Sequence, residues 1–301
     1  MKLINPKKIK KGDTIGIIAP SRNTGEFKKQ INDGIKILEQ MGYKIKLSQY
    51  FNKKYYQSAG TIKNRIDDLH AMFSDSSVKA IFSALGGDSS NQLLPYINYE
   101  LIKKNPKIFI GFSDITHLLL ALNKKSSLMT FYGPSLKDLP MLTKKSLFFL
   151  NKQLSIDNFI EAYPPFEIIK PGKACGSLVG GNLFVLNALA YSEYMPTVDG
   201  KILFWEEIDD NLSAVEFQLY QLKINGILEK ISGMVVGHIE KPKYSKERLR
   251  PLAEIILDIT QKHKFPIIKV NYFGHNVSNF YSLPIGANAL INTHKKLFEL
   301  K

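Results

Sequence analysis

The sequence predicts an α/β protein whose N-terminal half is a doubly wound parallel sheet. Short, continuously apolar runs alternate with longer amphipathic ones, the pattern of buried parallel strands separated by covering helices. The 301 residues correspond to two domains at roughly 150 residues each. A stretch at 136–173, with the basic pair Lys144-Lys145, Pro164-Pro165 and Pro171-Gly172, interrupts the alternation and reads as the crossing between domains.

Taken in order, Thr14–Pro20 reads as a buried strand. Glu26–Met41 reads as a helix, because Ile31, Ile35, Ile37 and Leu38 gather on one side. Strand Lys44–Leu47, helix Ile62–Phe73 and strand Lys79–Leu85 follow. Next come strand Lys107–Gly111, helix Asp114–Leu122 and strand Leu128–Tyr132. The first domain is expected over residues 1–145, a linker over 146–172 and a second domain over 173–301. In the second, Gly200–Ile208, Gly233–Ile239 and Pro266–Asn271 read as strands, and Leu212–Ile231 and Lys246–His263 as helices. The tail, 280–300, sets Pro284, Gly286 and Asn288 between short β-like runs.

Composition excludes several classes. With 44% hydrophobic and 23% charged residues, the chain is an ordinary globular one. No apolar run approaches the ~18 residues that span a bilayer, and the first apolar run is too short for a signal-peptide core. A cytoplasmic protein with no membrane partner is expected. The net charge of +14 raises the question of nucleic acid. Only four of the 41 cations are arginine (Arg22, Arg65, Arg248, Arg250), and the lysines are scattered in pairs rather than gathered in a stripe. Nucleic-acid sites favour arginine's planar fork and clustered charge, so no nucleic-acid partner is expected. A single cysteine, Cys175, excludes an intrachain disulfide, and the six histidines show no ligand spacing, so no metal is expected. Phosphate-cradling G-x-x-x-x-G-K-[ST] and dinucleotide G-x-G-x-x-G loops are absent.

The strongest local signal is Ile108–Thr116. An apolar strand runs into Gly111-Phe112-Ser113, and a helix starts near Asp114. A serine in such a strand–turn–helix corner displays its Oγ at the carboxyl edge of the sheet, above a helix N-terminus suited to a developing oxyanion. The corner is similar to a nucleophile elbow, although Ile115 replaces the second glycine of G-x-S-x-G. Helix capping by Ser113 is the competing reading. After the preceding strand, Gly86-Gly87 lets backbone approach a ligand closely and offers N–H groups; an ordinary turn ahead of a helix capped by Ser89 or Ser90 would also account for it.

A nucleophilic serine needs a base and an orienting carboxylate. His117 follows Ser113 by one helical turn, yet a triad requires an imidazole aimed across the reacting centre. His275 directly follows a strand, and Glu206-Glu207 close the apolar run Ile202–Trp205, so both stand at sheet edges. Surface-facing carboxylates would satisfy the same pattern.

Taken together, these segments resemble the serine LD-carboxypeptidase family, within it most the microcin C self-immunity branch. The resemblance lies in Tyr55–Arg65, Leu85–Tyr96, Asn105–Thr116, Thr130–Pro134, Gly180–Leu183, Ile202–Glu207, Phe273–His275 and Leu283–Gly286, in the same order over nearly the whole chain. It implies an N-terminal doubly wound domain and a C-terminal domain with a mixed, partly β-barrel-like sheet, a homodimer, and no cofactor. It also implies a Ser113–Glu206–His275 triad, with an oxyanion hole at the N–H groups of Gly87 and Asp114 and substrate contacts at Gly86 and Glu240.

The implied activity is hydrolysis of an amide in a small peptide-like substrate, expected first to be of the immunity type, with a murein tetrapeptide as the alternative. In the immunity-type branch that substrate is an aminoacyl- or peptide-nucleotide, and Glu240 falls where this branch has a carboxylate suited to an α-amino group. The murein branch instead removes the terminal D-alanine of cell-wall tetrapeptides. Trp205, the only tryptophan, reads as core rather than as a nucleobase platform, and the 136–173 stretch lacks a matching aromatic loop. A catalytically silent protein that binds peptide ligands is the reading from another class.

Overall fold

The computed structural model describes residues 2–156, 163–208, 212–240 and 250–300. The chain forms two compact units, Met1–Phe159 with Phe280–Ile285, and Ile160–Asn279 with Gly286–Lys301.

The first unit opens with β1 (Thr14–Ile18), α1 (Lys28–Gln40), β2 (Lys44–Leu47), α2 (Ile62–Ser74) and β3 (Val78–Ser83). It continues with α3 (Tyr99–Lys104), β4 (Ile108–Gly111), α4 (Thr116–Ser126), β5 (Thr130–Tyr132) and α5 (Lys144–Ser155). The five strands are parallel in the order β5-β4-β3-β1-β2. Central strands carry continuous apolar runs because both faces are covered: Ala80, Ile81 and Phe82 of β3 and Ile108, Phe109 and Ile110 of β4 are fully buried. The edge strand β2 alternates lysine with apolar residues, and charge on an edge discourages pairing with another chain. Helices α2, α3 and α4 pack side by side, whereas α1 packs on the 3-10 segment Leu136–Met141.

The second unit contains β6 (Glu167–Lys170), β7 (Lys173–Asn182), α6 (Leu183–Leu189), β8 (Ile202–Glu207), α7 (Leu212–Ile224), β9 (Gly233–Ile239), α8 (Leu252–Ile259) and β10 (Ile267–Lys269). Then β11 (Leu283–Ile285) returns to the first unit and adds to its sheet antiparallel to β5. Strands β12 (Asn288–Asn292) and β13 (Leu297–Leu300) complete the second sheet, whose order is β13-β12-β7-β8-β9-β10-β6. That sheet is mixed. β7 to β10 run parallel, while the β12–β13 hairpin and β6 add antiparallel edges. The fold class is therefore α/β, a doubly wound sheet followed by a mixed one, as the sequence predicts.

Several details differ from the sequence reading. The stretch read as a linker is regular in part. α5 occupies Lys144–Ser155, with Thr143 Oγ1 accepting from Ser146 N–H at its start and Phe149, Leu150 and Leu154 buried. β6 and the start of β7 also fall within 136–173, and residues 157–162 lie outside the described ones. The helix read over Leu212–Ile231 stops at Ile224, two residues before Gly226 at φ 62°, a left-handed stop. Of the helix read over Lys246–His263, α8 covers Leu252–Ile259 and ends four residues early at Thr260; 246–249 lie outside the described residues. Among the described residues, no helix is long and apolar enough to cross a membrane.

Candidate active site

In the first unit, chain order reverses direction across the sheet between β1 and β3, the position where open α/β sheets bind ligands beyond the carboxyl ends of their strands. Three loops meet that rule: Ser21-Arg22 after β1, Gly86-Gly87 after β3, and Phe112-Ser113 after β4. Ser113 has φ 61°, a left-handed conformation that a non-glycine residue adopts at a cost of about 1–3 kcal/mol. Its turn is held by Ser113 N–H donating to Tyr132 Oη (3.4 Å) and by Thr116 Oγ1 donating to Ser113 O (2.6 Å). The N-caps of the 3-10 turn and of α4 are Phe112 and Ile115, and neither helix start uses a side-chain cap. Capping therefore does not account for the serine. Ile115 stands where an elbow has glycine, and it packs against Gly111, where an added Cβ would come within 2.9 Å of Ile115 Cγ2.

Gly86 lies against the serine. A Cβ there would sit 3.3 Å from Ser113 Oγ and 3.6 Å from Asp114 N. Gly87, at φ 154°, leaves no room for a side chain: its Cβ would meet Ser21 Oγ and come within 2.7 Å of Arg22 N. The Gly87 N–H donates to no partner among the described residues.

Beneath these turns runs a buried polar network. Asp114 Oδ2 accepts from Ser90 N–H (3.1 Å), and Ser90 Oγ donates to Asp114 O (2.7 Å). His117 Nδ1 lies 3.0 Å from Asp114 O and 3.2 Å from its Oδ1; both are acceptors, so this nitrogen carries the proton. His117 is thus committed to Asp114. Burial pushes the Asp114 carboxyl up, but hydrogen bonds from His117, Ser21 and Ser90 outweigh it and hold the group below the usual carboxylate range. Arg65, 2% exposed, donates to Pro20 O, Ser89 O and Oγ, and Gln92 Oε1, which ties the β1 and β3 loops together.

In the second unit, the ends of β7, β8 and β9 and the loop after β10 form a second cluster. Glu206 is fully buried, and His275 Nδ1 lies 2.7 Å from its Oε2. A carboxylate only accepts, so Nδ1–H donates to it, and in the neutral ring Nε2 carries the lone pair. Gly274, at φ 124°, fits between His238 O and Glu206 Oε2, where a Cβ would come within 2.9 and 3.2 Å of them. Glu207 points away from the imidazole: its Oε2 accepts from Phe184 N–H (2.8 Å) and its Oε1 from Asn182 Nδ2 (2.8 Å) and Ile208 N–H (2.9 Å). Burial, with the neighbouring Glu206 charge, pushes the Glu207 carboxyl up to about 7.

Asn182 is a residue that sequence reasoning missed. Its Oδ1 accepts from Val185 N–H at the start of α6, and its Nδ2 donates to both Glu206 Oε1 (3.3 Å) and Glu207 Oε1. An asparagine between a strand end and a helix start was the available signal. Glu240 is half-buried, with Oε2 3.5 Å from His238 Nε2 and its N–H donating to Glu207 O (3.1 Å).

The first cluster thus offers a strained serine beside backbone donors, and the second a buried carboxylate–imidazole pair. Comparison with known proteins identifies the family. Residues 15–133 match the LD-carboxypeptidase N-terminal domain and residues 175–291 the LD-carboxypeptidase C-terminal domain. A probable murein peptide carboxypeptidase of Bacillus subtilis is 34% identical over 97% of this chain and 92% of its own length. The microcin C7 self-immunity protein MccF of Escherichia coli is 28% identical over 95% of this chain and 92% of its own. A solved structure of MccF in complex with aspartyl sulfamoyl adenosine superposes with a TM-score of 0.89, 28% identity and 98% coverage of both chains. Fold and matches define a serine peptidase. The chain belongs to the LD-carboxypeptidase family.

Proposed function

We propose that Ser113, His275 and Glu206 form a catalytic triad that hydrolyses the amide preceding the C-terminal residue of a small peptide. The bond from His275 Nδ1–H to the buried Glu206 carries this reading, because it fixes the tautomer that presents Nε2 as a base. Nε2 takes the Ser113 proton as Oγ attacks the amide carbonyl, and Glu206 stabilises the imidazolium that results. The oxyanion is held by the N–H groups of Gly87 and Asp114, with Gly86 giving the substrate room to approach. The imidazolium then protonates the leaving amine. A water, deprotonated by the same nitrogen, releases the acyl group.

For the substrate, a murein-type peptide is favoured. The Bacillus subtilis relative carries that name, and Trp205 is fully buried in β8, so it offers no stacking face to a nucleobase. Glu240 supports the second reading, an aminoacyl-nucleotide substrate, since a half-buried carboxylate beside Glu207 suits an α-amino group. Parallel assays on a murein tetrapeptide and an aminoacyl sulfamoyl-adenosine decide between them. Ser113→Ala is expected to lose on the order of 10⁶-fold in kcat, and mass spectrometry of the unaltered enzyme should trap an acyl group on Ser113. Wild-type turnover by the alanine variant would refute the triad.

A further inference from the structure

Arg22 differs from the other described arginines. Arg65 is buried and spent on backbone and side-chain acceptors, and Arg250 pairs with Glu216 and Asp258. The exposed side chain of Arg22 has no partner among the described residues, and the same holds for Lys54. Both line one cavity of about 410 Å³, together with Asn23, Glu26, Tyr56 and Gln57. One acid against two cations leaves the cavity net positive.

One lining residue, Arg22, also touches the glycine pair beside Ser113. Arg22 N–H donates to Gly86 O (3.3 Å), and a Cβ on Gly87 would come within 2.9 Å of Arg22 Cβ. The arginine side chain therefore springs from the glycine pair that borders Ser113 Oγ. The far wall is braced. Asn23 Nδ2 donates to Tyr56 O (3.2 Å) and Gln57 O (3.0 Å), and Tyr56 is held at φ 52°. A braced wall means that little ordering remains to be done when a ligand enters.

An enzyme that removes a C-terminal residue must handle a free carboxylate. That group is separated from the scissile carbonyl carbon only by the amide nitrogen and one Cα. Its partner must therefore stand next to the backbone that receives the carbonyl oxygen. A guanidinium binds a carboxylate through two parallel N–H donors, which a lysine cannot reproduce.

We propose that Arg22, with Lys54 in the same cavity, is the subsite for the free carboxylate of the leaving residue. The proposal rests on the carboxypeptidase activity and not on the triad assignment. It makes Arg22 a specificity determinant that separates peptide acids from substrates whose leaving group lacks a carboxylate.

The test is calorimetric binding to Ser113→Ala protein of a tetrapeptide ending in D-alanine, compared with the same peptide as its C-terminal amide. The acid is expected to bind on the order of 10- to 100-fold more tightly. Adding Arg22→Gln should reduce the preference to within about threefold, and Arg22→Lys should restore part of it. In turnover by protein with Ser113 intact, the loss should fall on KM more than on kcat. Absence of an acid preference, or a preference that survives Arg22→Gln, overturns the subsite. Turnover retained by Ser113→Ala would refute the triad alone, because the binding comparison still decides the role of Arg22.

Discussion

Glu207 offers a quantitative test of how the second cluster is built. Its carboxyl accepts three hydrogen bonds, yet burial and the Glu206 charge push it from an ordinary value near 4.5 up to about 7. At about 1.4 kcal/mol per pH unit, that difference carries about 3 kcal/mol of stability, and at 3% exposure solvent screens little of it. In the unfolded chain this carboxyl ionises near 4.5, whereas in the folded protein it keeps its proton until about 7. Its contribution is therefore fully present below pH 4.5, lost as the pH rises toward 7, and flat above about 8. Glu207→Gln removes the titration. It also sets an amide N–H₂ against Phe184 N–H, an unsatisfied pairing that costs about 1–3 kcal/mol at every pH. Urea unfolding of both proteins at pH 5, 6, 7 and 8 measures the difference directly. The advantage of the parent over Glu207→Gln should shrink by about 2–3 kcal/mol between pH 5 and pH 8. A difference constant to within about 0.5 kcal/mol over that range would show that burial does not govern this carboxyl.

Two further substitutions probe the proposed triad. Gly86→Ala places a methyl 3.2 Å from Ser113 Cβ and 3.3 Å from Oγ, so the serine must yield by a few tenths of an ångström. We expect kcat to fall about 10-fold or more while the thermal midpoint stays within about 2 °C; unchanged kcat would show that the contact is slack. Glu206→Gln keeps the shape but removes the acceptor that fixes the His275 tautomer, and steady-state kinetics should show kcat reduced on the order of 10⁴-fold. Retention of more than a tenth of the parent rate would count against Glu206 as the orienting group.

The parallel core was legible because burial on two faces leaves Ala80–Phe82 of β3 and Ile108–Ile110 of β4 continuously apolar, and such runs stand out in any reading. α5 was hidden by Lys144-Lys145, an exposed basic pair at its start that reads as linker. β7 was hidden by Gly176, Gly180 and Gly181, which look like turn residues. Gly180 is needed instead because a Cβ there would run into Phe204 O on the neighbouring strand. The serine corner was visible as strand, turn and helix, but the tie of His117 to Asp114 depends on which way a buried side chain turns. Spacing alone also leaves Glu206 and Glu207 equivalent. The register shifts between Trp205 and Glu207, and both carboxylates accept from Asn182 Nδ2, yet Glu206 Oε2 meets the imidazole and Glu207 Oε2 the start of α6.

The return of β11 has a consequence for biosynthesis. Leu283–Ile285 closes the free flank of β5, Asn123 Nδ2 donates to Ile285 O, Gln153 Nε2 donates to Ser282 O, and Phe280 sets its ring edge-on to Phe112 beside the serine corner. A nascent chain emerging from the ribosome has made every other strand of this sheet before residue 160, yet it must wait through more than a hundred further residues for the last one. Until then β5 is an open, sticky margin, and the residues around Ser113 lack part of their packing. The unit that carries the serine cannot be cut out as one uninterrupted stretch, and its maturation is tied to translation of the far end of the message.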